Sequence, residues 1–528
     1  MTAKYASHVA KRGPTKQTQP IPGRASEQVK NNAGGFVFKL GDWDRLDRFL
    51  ILGSEGNTYY STEKAMTLDN ANVVLRCLAA DGPGTVARIV EISDAGRAPK
   101  NDPALFALAL AASADDVPTK QAALRALPKV ARIGTHLFHF AEMVNAQRGW
   151  GRALRRAIGD WYNAQPVDRL ANQVSKYQQR DGWSNRDLLR LSHPKTTDTT
   201  RAAIYNWACG RKNADNMPDY LKAVEELAAN PNAETAVEAI RTYGLPRECI
   251  PTELLNDVDV WAALLEDMPL HAMVRNLGKM SAIGLLKPLG RDNAKVIEAL
   301  GNVEAIRKSR LHPFAILLAL KTYGSGKGFK GSLSWTPVPQ IVDALDAAFY
   351  TAFQTVVPTG KRTLIGLDVS GSMSSPFMNS PLMVCEGAAA MAMTAARTEQ
   401  EYAICAFDRG FQPLNITAKS TMPEVLRQTY NINGGGTDCA VPMQWALKHK
   451  VLVDSFMVIT DNETWAGHQH ASQALVEYRQ KMGINAKMVV VGMTSTGFTV
   501  ADPKDPGMMD VVGFDTASPQ IIADFFRG

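Results

Sequence analysis

The stretch KRTLIGLDVSGSMSS, Lys361 to Ser375, decides the fold class of the C-terminal third of this chain. An apolar run, TLIGL, ends in Asp368, and Ser370 and Ser372 follow at two-residue steps around Gly371. Such a run, closed by small polar residues, reads as a buried strand opening into a loop. EYAICAFD (401–408), SFMVITD (455–461) and AKMVVVGM (486–493) repeat the pattern. Helical stretches alternate with them, among them LMVCEGAAAMAMTAART (382–398), ASQALVEYRQKM (471–482) and PQIIADFFRG (519–528). Strands alternating with helices predict a parallel sheet covered on both faces, a Rossmann-like α/β domain over residues 361–528.

In such a sheet, ligands bind beyond the carboxyl ends of the strands. Asp368, Ser370 and Ser372 sit there, as does Asp461, and NGGGTDCAVP (433–442) adds Thr437 on a glycine-rich loop. Two carboxylates and three hydroxyls make an oxygen-only site, the donor set preferred by a hard divalent cation such as Mg²⁺. With few protein ligands, the cation has room for an outside carboxylate or phosphate oxygen. The pattern D-x-S-x-S…T…D resembles the metal-ion-dependent adhesion site of a von Willebrand factor A domain. Ser370 has no partner base, so hydrolase chemistry is not expected. GSGKGFKG (324–331) lacks the spacing of a phosphate loop, and His136/His139 and His468/His470 have no third ligand at suitable spacing.

Upstream the period changes. DNANVVLRCLAA (69–80), DPALFALALAAS (102–113), TKQAALRALPKVAR (119–132), HPFAILLALKTY (312–323) and VPQIVDALDAAFYTAF (338–353) place apolar residues at helical spacing. Residues 33–360 are expected to be helical throughout, as stacked antiparallel pairs each burying its face on its neighbours. Residues 1–32, with six Lys/Arg against one Glu, read as a disordered basic tail.

Charge divides along the same line. Of 58 Lys/Arg and 52 Asp/Glu, residues 361–528 hold 13 and 16, leaving 45 and 36 in the first 360 residues. The helical part is therefore where a polyanion is sought. Its most basic segment, Arg148 to Lys195, carries ten cations against four Asp, interleaved with Trp150, Trp161, Tyr162, Tyr177 and Trp183. Arg152, Arg155 and Arg156 recur at helical spacing, and guanidinium groups suit bidentate phosphate contact. Six scattered cysteines without a C-x-x-C pair, no apolar signal stretch and no membrane-length apolar run lead to the expectation of a cytoplasmic protein.

THLFHFAEM (135–143), WGRALRRAIGDWYN (150–163), KYQQRDGWSNRDLLRLSHPK (176–195), MPLHAMVRNLGKM (268–280) and PTGKRTLIGLDVSGSM (358–373) together resemble the Ro autoantigen family, the TROVE-domain RNA-binding proteins. The resemblance runs from about Phe36 to the C-terminus. It implies an all-α ring of HEAT-like helical repeats, closed by a von Willebrand factor A domain. It also implies a non-enzymatic, monomeric RNA scaffold. Y RNA would bind on the outer surface, and the single-stranded 3′ ends of misfolded RNAs in the central hole, in company with an exoribonuclease. Arg148, Arg152, Arg155, Arg156 and Arg190 are the candidate RNA contacts from the basic segment, and the resemblance adds Lys176, Arg180 and His193. Gln178 and Asn185 stand where vertebrate relatives carry basic or imidazole groups, which implies a weaker outer patch or a different RNA. The alternative function is a metal-dependent adhesion or chaperone module, in which the basic segment is incidental.

Overall fold

The computed structural model of the chain describes residues 13–54, 57–211, 216–353, 356–430, 432, 434–513, 515 and 517–528. Two compact units emerge. One is helical, Val74–Leu311 with Ala315–Ala348; the other joins residues 13–73, His312–Phe314 and Phe349–Gly528.

The first finding corrects the expected tail. Residues 1–12 lie outside the described residues, but 13–32 are built into the second unit. Gln17 is fully buried and its amide donates to Asp438 Oδ1 at 2.7 Å and to the carbonyl of Gln469 at 2.9 Å. β1 (Gln28–Lys30) pairs antiparallel with β2 (Phe36–Lys39), with Val29 opposite Val37. Arg24 pairs with Asp502, 478 residues away. Polar composition suggested disorder, yet Gln17 and Arg24 find their partners more than 400 residues downstream, where no local pattern reaches. β2 likewise corrects the expectation of unbroken helix from residue 33.

The helical unit follows from its punctuation. Asp81 caps the helix Gly82–Ala95 by accepting from Gly84 N at 2.9 Å, and Gly96, at φ +68°, ends it. Asp116, Asp198, Asn232 and Asn302 accept at other helix starts in the same way. The helix Asp102–Ser113 is buried nearly all round, with Leu105, Ala107, Leu108, Ala109 and Ala111 wholly removed from water. Each of the two leucines, fully buried, stabilises by about 1.5–3 kcal/mol, and each alanine methyl by less. Helices pack on the next and the next but one: Gly82–Ala95 on Val117–Val130, Asp102–Ser113 on Gly134–Arg148, Val117–Val130 on Arg152–Ala164. That is repeat stacking. A short hairpin, β3 (Gln179–Arg180) with β4 (Trp183–Ser184), interrupts it and turns on Asp181 and Gly182 in left-handed backbone. Late in the unit Arg310 donates to the carbonyl of Asp94 at 2.9 Å, so the succession returns to its own beginning.

In the second unit β5 (Thr363–Asp368), β6 (Tyr402–Phe407), β7 (Phe411–Leu414), β8 (Ser455–Thr460), β9 (Lys487–Gly492) and β11 (Met508–Val512) form one sheet in the order β11-β9-β8-β5-β6-β7. All pairings are parallel except β6 with β7. β5 and β8 are buried at every position, the signature of central parallel strands covered on both faces. β10 (Phe498–Thr499) instead joins β2, extending the small antiparallel sheet.

Candidate metal centre and nucleic-acid surface

β5 and β8 are neighbours in register, Leu367 opposite Ile459, so their carboxyl ends bring Asp368 and Asp461 to one place. Asp368 is 1 % exposed and Asp461 4 %. Asp368 Oδ1 accepts from Ser370 N at 2.9 Å and Oδ2 from Thr460 Oγ1 at 2.5 Å. The Ser370 and Ser372 hydroxyls lie 3.2 Å apart, and Ser372 is near enough to Asp461 to lower its carboxyl against the effect of burial. Thr437 is buried on a loop that the Asp408 carboxylate and carbonyl fix through Gly435 N at 3.0 Å and Asp438 N at 2.8 Å. Gly434 explains how that loop comes so close: a Cβ there would stand 2.2 Å from the Val369 carbonyl oxygen.

The electrostatics of this cluster are unbalanced. Burial, and then the charge of Asp461, push the Asp368 carboxyl well above the usual carboxylate range; burial also raises Asp461. Among the described residues neither carboxylate forms an ion pair with a lysine or arginine. Two buried carboxylates without a counter-charge, ringed by hydroxyls, have the donor chemistry that suits a hard cation. Among the described residues no group of three or more His, Cys, Asp or Glu side chains converges closely enough to hold a metal ion by itself.

Sequence reasoning missed the other wall of this site. Glu463, 3 % exposed, accepts from Asn32 Nδ2 at 2.6 Å and Ala33 N at 3.1 Å, and burial followed by the Asp461 charge pushes it up to about 7. Tyr60 is close enough to feel all three carboxylates; burial and their charges push its hydroxyl up to about 12. Glu463 was visible in SFMVITDNET, but its partner Asn32 comes from the segment read as tail, and Ala33 from the residue that follows it.

On the helical unit, the helix Arg152–Ala164 buries Leu154, Ala157, Ile158, Trp161 and Tyr162 and leaves Arg152, Arg155 and Arg156 exposed. None of the three has a carboxylate partner among the described residues. The Tyr162 hydroxyl donates to Asn185 Oδ1 at 2.8 Å, which locks this helix to Asn185–Ser192, where Arg186 and Arg190 are exposed. His193 caps that second helix in left-handed backbone, φ +48°, and its side chain is exposed. The Trp150 and Trp183 rings, centroids 5.2 Å apart, bring the β3–β4 hairpin and its exposed Arg180 to the start of the arginine helix.

Three expectations change in detail. Arg148 is exposed, but its guanidinium donates to the Ala112 carbonyl at 3.0 Å, so it also braces the helix stack. Lys176 is half-buried, 3.9 Å from Glu248 and over the Tyr177 ring. Asn185 is buried and donates to the carbonyls of Val174 and Tyr177 while accepting from Tyr162. It closes a hydrogen-bond network and says nothing about the strength of an outer patch.

Comparison with known proteins agrees with both halves. The TROVE domain model matches residues 29–242 and 244–322, and the Ro60 vWA domain model matches residues 362–526.

This chain belongs to the Ro60 family.

A Deinococcus radiodurans member, the RNA-binding protein RO60, is 40% identical over 95% of this chain and 96% of its own. The Caenorhabditis elegans RNA-binding protein RO60 is 35% identical over 95% of this chain and 90% of its own. The crystal structure of the Deinococcus Ro (Rsr) protein superposes with a TM-score of 0.71 at 38% identity, covering 92% of this chain and all of that one. The Ro60 fold, a helix-rich TROVE domain and a von Willebrand factor A domain with a mixed sheet, is therefore the fold of this chain.

Proposed function

We propose that this chain is a non-catalytic, cytoplasmic RNA-binding scaffold acting as a monomer. The observation that carries the reading is the row of exposed arginines, Arg152, Arg155 and Arg156, without a carboxylate partner among the described residues, on a helix whose other face is locked into the stack. Arg180, Arg190 and His193 extend the same neighbourhood with exposed side chains, Arg180 3.8 Å from Asp181. The proposed ligands are a small structured RNA of the Y type on this surface and the single-stranded 3′ end of a misfolded RNA within the helical ring. An exoribonuclease is the proposed partner for RNA degradation or maturation. Asp368, Ser370, Ser372, Thr437 and Asp461 would hold a divalent cation, Mg²⁺, which would supply an electrophilic docking point for an acidic group.

A gel shift with a small structured RNA, with and without a single-stranded 3′ tail, across a salt series and with EDTA, tests the reading. Tight, tail-enhanced binding that weakens with salt and survives EDTA is expected. Joint reversal of Arg152, Arg155 and Arg156 to Glu is expected to weaken it at least about tenfold. Binding lost on chelation would move the RNA to the metal unit. The buried, uncompensated Asp368–Asp461 pair favours a second reading, a metal-dependent protein-docking module, if no RNA binds at all.

A further inference from the structure

The stretch GSGKGFKGSLSW, Gly324 to Trp335, resembles a phosphate loop only at a glance, and in the structure it opens no helix. It is a hairpin. Lys327 and Ser334 bridge antiparallel, Gly328 N donates to the Leu333 carbonyl at 2.8 Å and Trp335 N to the Gly326 carbonyl at 2.9 Å. Gly326, φ +70°, is required where the strands meet, since a Cβ would stand 2.9 Å from the Trp335 oxygen. The base is pinned hard. The Trp335 indole donates to the Tyr323 carbonyl at 3.0 Å and stacks on the Tyr323 ring at 6.1 Å and 17°. Its six-membered edge covers Gly278 so closely that a Cβ there would be 2.6 Å away.

The tip carries the unexplained feature. Phe329 is 57% exposed, with Lys327 and Lys330 exposed on either side and no acidic residue anywhere from 324 to 335. Neither lysine has a carboxylate partner among the described residues. Arg275, exposed, lies one turn before Gly278 on the helix that Trp335 covers. A scattered surface phenylalanine carries no message by itself. Here an anchored backbone holds an aromatic ring out into water between two ammonium groups, in the pattern that binds single-stranded nucleic acid: a ring for a base, cations for the flanking phosphates. Because the hairpin is already ordered, little conformational entropy is lost on binding.

We propose that the Lys327–Phe329–Lys330 tip is a stacking site for a base of single-stranded RNA, distinct from the Arg152–Arg156 helix. The proposal rests on the RNA-binding reading above. The test uses the full-length protein and a single-stranded uridine decamer carrying one 2-aminopurine, followed by fluorescence anisotropy and by quenching of the analogue. Phe329→Ala is expected to weaken binding about 5- to 150-fold and to abolish the quenching. Phe329→Trp keeps both. Lys327→Ala with Lys330→Ala lowers the slope of log affinity against log salt by about 1.4. Wild-type affinity, quenching and salt slope in all three variants would overturn the hairpin site while leaving the scaffold reading intact. Weakening of Phe329→Ala with quenching retained would overturn stacking. A wild-type protein that binds neither this decamer nor structured RNA would overturn both.

Discussion

The Arg48 guanidinium stands 2.6 Å from both carboxylate oxygens of Asp510, 462 residues further along the chain. Arg48 is completely buried in the helix Asp42–Leu52, and Asp510 is on the outermost parallel strand of the sheet, so this pair, one guanidinium nitrogen shared by both carboxylate oxygens, ties the early part of the second unit to its end. Removing one member of a buried pair leaves the other uncompensated, at a cost of about 3–5 kcal/mol. Arg48→Ala should therefore lower the urea midpoint of the second unit's transition sharply. Arg24→Ala, whose partner Asp502 is reached from a half-exposed site, should lower it much less. Equal losses in the two variants would show that the Arg48 pair is no anchor.

Cation binding is read through stability. A ligand that binds only the folded state raises the unfolding temperature by mass action, so millimolar Mg²⁺ should raise the midpoint relative to EDTA. Asp368→Asn should erase that rise. Gly434→Ala should shrink it too, because its methyl group would meet the Val369 carbonyl and push the Thr437 loop away. A wild-type protein with the same midpoint in Mg²⁺ and EDTA would remove the cation from the site.

His139 Nδ1 lies 2.7 Å from Asp102 Oδ1, and Asp181 approaches Nε2 at 3.2 Å. The hydrogen bond to Asp102 raises the histidine above its ordinary 6.5 and the same bond lowers Asp102 below 3.8. The histidine contribution is complete below pH 6.5 and is lost as pH rises through its raised folded value; the aspartate contribution is present above pH 3.8 and is lost on acidification. The stability difference between wild type and His139→Gln should therefore be largest between about pH 4 and 6.5 and fall toward pH 8. Denaturant melts at three pH values measure it, and a difference that grows toward pH 8 contradicts the pairing.

Asn185→Ala strands the Tyr162 hydroxyl and two carbonyls in the helix stack. The expected cost is about 1–3 kcal/mol per buried group left without a partner. RNA affinity of the folded fraction, measured well below the unfolding transition, should stay within about twofold of wild type, since a buried amide meets no phosphate. A tenfold loss of affinity with unchanged stability would return Asn185 to the RNA surface.

What the sequence by itself determined was whatever is written in short-range pattern. The four strands of TLIGLD type, the helices between them and the helical periodicity of residues 102–132 are all local choices of side chain. The Asp368, Ser370, Ser372 triplet needs only one loop, and its companion Asp461 was placed by the rule that parallel strands end on one side. The arginines of WGRALRRAIGDWYN declared their exposed face through the spacing of the apolar residues opposite. Tertiary structure decided the rest, because those pairings join residues hundreds of positions apart. Gln17 reaching Asp438 and Asn32 reaching Glu463 turned an expected tail into part of the sheet-bearing unit, and Arg48 reaching Asp510 drew a helix expected in the helical domain into the same unit. A polar residue looks the same in sequence whether it ends in water or against a buried partner, and only the folded chain fixed which of these residues were solvated and which were sealed in.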